Sequence, residues 1–168
     1  KEEEVDNAPT EEEMEQANES IRSSNLRIRK EFTESQRDQF IEESFEYMSR
    51  FFEGSLLELS NRSAEIEGRY RRVDANSFTA SIYRSGSLVA ECQVSLGGFL
   101  GQRNQIVYSN DTSRQANSFN ESLSADDDGH SIFLRSMGMS SIGGGSEDQL
   151  SQQGASELFW ALLLRRLQ

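Results

Sequence analysis

One cysteine, one proline and one histidine in 168 residues exclude several classes of protein before any pattern is read. A lone cysteine cannot build an internal disulfide framework and fits a reducing compartment, so the expected location is the cytoplasm. With one histidine beside it, the chain cannot supply the ligands of a usual closed zinc site. No apolar run approaches the roughly 18 residues that a membrane-spanning helix needs, and no signal-peptide pattern is present, so no membrane association is expected. A basic surplus is also missing. The net charge is −12, which disfavours nucleic acid and anionic membrane surfaces as partners, because both reward basic patches. The Gly-x-Ser-x-Gly elbow of serine hydrolases is absent, and so is a phosphate-loop lysine. No metal and no cofactor is expected.

What is present is enough apolar material for one core: 35% hydrophobic residues, including ten Phe, four Tyr and one Trp. The acidity is unevenly placed. Residues 1 to 20 hold nine acids against Lys1 alone, which leaves −4 for the remainder. Residues 1–31 therefore read as an acidic linker, and 32–168 as a single domain. A Thr10-x-x-Glu13 capping box could start a short helix in the linker, but Met14, Ala17 and Ile21 are too few to anchor it. The chain opens at Lys1 without an initiator Met and reads as a piece of a longer protein.

The domain pattern is organised around residues 78–98. Phe78, Ala80 and Ile82 alternate on one face of a first strand, and Leu88, Ala90, Cys92, Val94 and Leu96 on one face of a second. A three-residue loop over 84–86, with Gly86 left-handed, would set Ile82 opposite Leu88, Ala80 opposite Ala90 and Phe78 opposite Cys92. A two-residue loop at Ser85 and Gly86 would place the two apolar sets on opposite faces. Before the hairpin, Thr33 and Gln36 form a capping box, and Ile41, Phe45, Met48, Phe52, Leu56 and Leu59 trace one helical stripe to about Ser60. Gly54 in that helix is expected to mark a close approach to a strand. Residues 64 to 73 read as a strand with Ile66, Gly68 and Tyr70 inward, and Asp74 to Asn76 as the turn after it.

Beyond Gly98, Gln105 to Tyr108, Asn117 to Ser124 and Ile132 to Leu134 are strand candidates, with a turn at Asp126-Asp127-Asp128-Gly129. A last helix is expected from Gln149 or Ser151 to Leu167, burying Leu158, Phe159, Leu162 and Leu163. Arg165 and Arg166 would oppose the negative end of its dipole. The fold class is α+β: an antiparallel sheet of five or six strands, with a long N-terminal helix and a C-terminal helix packed on it.

Few residues carry a chemical signal. The polar stretch from Arg103 to His130 could shape a small-molecule or peptide site beside the sheet edge, with Arg103, Arg114, Asn117, Asn120, Glu121 and His130 as ligand-binding candidates. Trp160 and Leu164 lie off the centre of the last helix's stripe and could form an interface to a second copy, or equally a wide core contact. Gly143-Gly144-Gly145-Ser146 has the outline of an anion-cradling loop, but Glu147 and Asp148 would repel phosphate there. Asp126-Asp127-Asp128-Gly129-His130 lacks the frame of a calcium loop. Cys92 sits on the apolar face of the hairpin, where a thiol is normally inert.

The runs Phe45-Glu46-Tyr47, Arg71 to Asn76 with Phe78-Thr79-Ala80, Asn117 to Leu123 and Phe133 to Met139 resemble an uncharacterised bacterial domain. It is an accessory domain that follows a Toll/interleukin-receptor (TIR) type signalling domain, and the resemblance covers about Ile28 to Gln168. It brings no catalytic residue with it. The resemblance implies a non-catalytic module that senses a small-molecule ligand or drives homo-oligomerisation for an upstream effector domain of the same chain, in a multidomain signalling or defence protein. The alternatives are a pure protein–protein interaction domain and a small hydrolase using His130.

Overall fold

A computed structural model describes residues 28–97, 104–112, 120–137 and 149–168. The Thr10 capping box, most of the acidic linker, Arg103, Arg114, Asn117 and the 143–146 glycine loop lie outside them. The domain is α+β. Helix α1 (Glu34–Arg62) is followed by six strands, β1 (Ile66–Asp74), β2 (Ser77–Arg84), β3 (Ser87–Leu96), β4 (Gln105–Ser109), β5 (Glu121–Asp127) and β6 (Ile132–Ser136). Helix α2 (Gln152–Leu164) then ends in a single 3-10 turn, Arg165–Leu167. The strands form one antiparallel meander in sequence order.

Helix α1 begins where its capping box requires. The Thr33 side chain accepts from the Gln36 N–H at 3.2 Å, and Gln36 Oε1 accepts from the Thr33 N–H at 2.9 Å. Its buried stripe is Ile41, Ser44, Phe45, Met48, Ser49, Phe52 and Leu56. This stripe lies over the inward residues of the hairpin, and the Phe45 and Phe52 rings sit 5.7 and 5.4 Å from Phe78. Gly54 is exposed with nothing within 4 Å of an added Cβ, so it marks no close approach. The glycine that does is Gly68 of β1. A Cβ there would fall 2.7 Å from the Leu56 carbonyl oxygen, and the Gly68 N–H donates to Ser60 Oγ at 2.8 Å. Helix and strand meet at that point because β1 has no side chain there.

The central hairpin keeps its apolar face but not the expected pairing. Ser85 and Gly86 both have positive φ (48° and 83°), which makes a two-residue turn. Ile82 pairs with Ala90, Ala80 with Cys92 and Phe78 with Val94, whereas Tyr83 pairs with Leu88. Val89 is thus an extra residue, a β-bulge that turns the strand over by one position. The bulge returns Ala90, Cys92 and Val94 to the face shared with Phe78, Ala80 and Ile82, all at most 2% exposed. Leu88, expected inside, is 51% exposed because it lies on the turn side of the bulge.

Strand β5 starts at Glu121, later than the sequence pattern suggests, and runs through Asp126 into Asp127. Ahead of α1, the chain docks on the β5–β6 turn: the Lys30 N–H donates to the Gly129 carbonyl at 2.7 Å, and Arg37 pairs with Asp127. The domain's contacts therefore begin slightly before residue 32. Helix α2 lies beside α1 on the same face of the sheet, with Ser151 as N-cap accepting from the Gly154 N–H at 3.0 Å.

Candidate functional site

The alternation of β4 and β5 sets Ile106 and Leu123 into the core, and with them Tyr108 and Glu121. Tyr108 pairs directly with Glu121 at the end of both strands. An acid on the inward face of a strand is the unusual feature here: Glu121 is 0% exposed. Its Oε1 accepts from Ser136 Oγ at 2.8 Å and from the Ser122 N–H at 3.0 Å. A buried carboxylate needs such donors to offset its lost hydration.

Around this acid the chain forms a cleft of about 320 Å³, lined by Tyr108, Asn110, Asn120, Glu121, Leu162, Arg165 and Arg166. Three elements build it. The β4 end supplies Tyr108, whose hydroxyl donates to Asn110 Oδ1 at 3.1 Å. Asn120, just before β5, accepts the Asn110 N–H on its Oδ1 at 2.7 Å, while its own N–H donates to the Tyr108 carbonyl at 2.9 Å. The C-terminal end of α2 and its 3-10 turn supply Leu162, Arg165 and Arg166. That end is held against β2 by Arg84, which donates to the Leu167 carbonyl at 3.3 Å. Arg165 and Arg166 are exposed, and neither is ion-paired among the described residues. The cleft thus has an acid at its inner end and two guanidinium groups at its rim.

The inner wall is dry. Tyr108 packs on Phe159 with ring centroids 5.3 Å apart, and burial, with Cys92 beside it, pushes its hydroxyl above the ordinary tyrosine range. Burial likewise pushes the Cys92 thiol up to about 12. At neutral pH that thiol is protonated, sealed and a poor nucleophile.

Of the ligand-binding candidates, the structure brings Asn120 and Glu121 into one cleft and leaves His130 out of it. His130 sits exposed in the β5–β6 turn, six residue steps along β5 beyond Glu121 counted to Asp127, or roughly 20 Å at ~3.3 Å per step. Its backbone N–H is held by Asp128 Oδ1 at 2.8 Å, and its imidazole makes no hydrogen bond among the described residues. The aspartates beside it are structural. Asp127 pairs with Arg37 and accepts the Gly129 N–H, Asp128 accepts from His130 and Ser131, and Asp126 pairs with Arg135 at 3.1 Å. Hydrogen bonds from Arg37 to Asp127, and from the Ser131 and His130 N–H groups to Asp128, hold both carboxyls below their ordinary range. Trp160 packs edge-on against Phe52 and Phe51, at 5.5 and 6.4 Å. Leu164 is also half-buried against the core. The contact shown for both residues is within the domain.

Sequence reasoning missed Tyr108, Asn110, Leu162, Arg165 and Arg166 as cleft residues. The arginines read as partners of the helix dipole, and nothing in their spacing says that α2 ends at the edge of this cleft. Glu121 was legible, as the acid two positions before the inward Leu123.

Residues 67–165 match the family model described as the Y4lF protein domain. The chain belongs to this family. Six of the seven cleft residues fall inside the matched stretch, and Arg166 is the next residue after it. The chain is also similar to the uncharacterized protein y4lF of Sinorhizobium fredii, 50% identical over 147 residues, which is 88% of this chain and 45% of that protein. A match of that length takes in α1, which lies ahead of the Y4lF stretch. The chain spans less than half the length of this curated relative. No solved structure matches it.

Proposed function

We propose that this Y4lF-family chain is a non-catalytic accessory module of a multidomain bacterial signalling or defence protein, and that it works by binding a small polar molecule in the β4–β5 cleft. The cleft carries the reading: convergent amides, a buried acid and two arginines surround a cavity at the low end of the range for small-molecule sites. The partner would be an upstream effector domain of the same polypeptide, of the TIR type that the sequence resembles. The greater length of the rhizobial relative is compatible with such an arrangement. A cytoplasmic setting belongs to the same reading and rests on the single reduced cysteine; among the described residues, no helix is long and apolar enough to cross a membrane.

The hydrolase alternative needs His130 beside a nucleophile. The exposed position of His130 and the sealed Cys92 thiol do not supply that pair among the described residues. Assaying the purified chain for ester, peptide and nucleotide hydrolysis tests this directly. No turnover is expected, and robust turnover abolished by His130→Ala would overturn the reading. Homo-oligomerisation, the other accessory role, is tested by solution mass. A strictly monomeric chain removes it and leaves ligand binding as the proposed role.

A further inference from the structure

We propose that the cleft takes a small hydroxylated organic anion, its carboxylate or phosphate head held at the rim by Arg165 and Arg166 and its hydroxyl oxygens accepting from the side-chain amides of Asn110 and Asn120. This rests on the ligand-binding reading above and specifies its ligand class.

The hydrogen bonds of the lining carry the inference. Asn120 Oδ1 accepts the Asn110 N–H at 2.7 Å, and Asn110 Oδ1 accepts from the Tyr108 hydroxyl at 3.1 Å. Both amide oxygens are therefore engaged inside the fold, which orients the side chains and leaves their NH2 groups without an acceptor among the described residues. The Tyr108 proton is engaged as well. Arg165 and Arg166 are exposed and make no ion pair among the described residues. Arg166 lies close enough to the Tyr108 hydroxyl for its charge to oppose the upward push of burial there. The negative end of α2 is worth about half an elementary charge, so one arginine would offset it and the second is surplus. Glu121 is no ligand group. It is wholly buried, and its Oε1 accepts from Ser136 Oγ and the Ser122 N–H, with a further interaction besides. Two guanidinium charges against its one leave the lining positive. Among its reachable side chains, the cleft thus offers donors and one apolar wall, Leu162.

A cation would be repelled at such a rim, and a neutral molecule would leave both guanidinium groups unused. An anion with an oxygen-rich body engages all four donor groups, and the planar guanidinium fork matches a carboxylate or a phosphate. Amides held in place beforehand limit the ordering cost of binding. The volume of about 320 Å³ suits a molecule the size of a single sugar.

Isothermal titration of the purified chain with gluconate and glucose 6-phosphate is the test, each against neutral glucose, cationic glucosamine and the bare heads acetate and inorganic phosphate. At least one of the two hydroxylated anions is expected to bind below about 10 mM, and more weakly as salt is raised. Glucose, glucosamine and the bare head should each be about tenfold weaker or worse. Which of the two anions binds separates a carboxylate head from a phosphate one. Arg165→Ala and Arg166→Ala lie on the exposed rim; each is expected to weaken binding about tenfold with the melting temperature unchanged. Asn120→Asp keeps an acceptor for the Asn110 N–H but replaces a donor by a negative charge, and is expected to abolish binding. If glucose or glucosamine binds as tightly as the anions and the arginine variants change nothing, the anion inference fails while ligand binding in the cleft stands. If acetate or inorganic phosphate binds as tightly as the hydroxylated anions, the site holds an adventitious ion only and the inference fails. If neither hydroxylated anion binds, the inference falls, and an amino acid, nucleoside or neutral sugar bound in the same cleft would keep the wider reading. If nothing binds, both fall.

Discussion

The two halves of the sheet face the same helical layer but are furnished differently. Under α1, the inward residues of β2 and β3 are Phe78, Ala80, Ile82, Ala90, Cys92 and Val94, with no ionisable carboxyl or base among them. Further along, β4 and β5, which α1 also crosses, carry Tyr108 and Glu121 beside Ile106 and Leu123. The first half spends its inward positions on packing. The second interrupts that packing with a buried acid and an open cleft, an arrangement that costs stability unless something else is gained. The inward face of β2 and β3 is thus wholly packing, whereas that of β4 and β5 divides between the core and the lining of the candidate cleft.

Substitutions on the two sides should divide accordingly. The largest effect is expected from Phe52→Ala, which removes a fully buried ring that meets Phe78, Phe51 and Trp160. It should cost about 3–5 kcal/mol in urea unfolding, and an unchanged midpoint would break the division at its foundation. Gly68→Ala comes next. Its Cβ would meet the Leu56 carbonyl, backbone against backbone, so α1 and β1 must separate, at about 1–3 kcal/mol. Thr33→Ala removes one side of the capping box and should cost about 1 kcal/mol. On the other side, Arg165→Ala and Arg166→Ala should each shift stability by less than about 0.5 kcal/mol, because the groups are exposed and have no carboxylate partner among the described residues. Loss of more than that would make the rim a structural element.

The turn region has a pH signature of its own. Asp74, Asp127 and Asp128 are all held below the ordinary carboxyl range: Asp74 chiefly by the Asn76 N–H, Asp127 by Arg37 and Asp128 by the Ser131 N–H. A group with a depressed folded pKa contributes stability that is present above its unfolded pKa and lost as pH falls through the folded one. Stability should therefore decline as pH drops below about 4. Asp127→Asn should flatten that limb in acid titrations followed by circular dichroism.

How much of this was readable beforehand follows the same division. The α1 stripe, the capping box and the inward face of the hairpin depend on local periodicity, and the stripe and hairpin residues named from it are buried except Leu59 and Leu96, which are half-buried, and Leu88, which is exposed. Register is different. Pairing depends on whether one residue is bulged, and Val89 carries no mark that distinguishes it from a regular strand position. Gly54 and Gly68 show the same limit, because a glycine's role depends on what passes over it and only the tertiary arrangement decides which one α1 approaches. The cleft was half legible. Asn120 and Glu121 stand out in the polar stretch, but Arg165 and Arg166 join them only because a helix of 13 residues happens to end at the edge of the same cleft.

Backbone amide shifts followed during titration with free amino acids, nucleosides and small sugars show directly whether the β4–β5 cleft binds a small polar molecule. Movement is expected at Asn110, Asn120, Glu121, Arg165 and Arg166, with Phe78 to Ile82 and Ala90 to Val94 unchanged. Movement concentrated in β1 to β3, or around His130, with the cleft amides still, would contradict it.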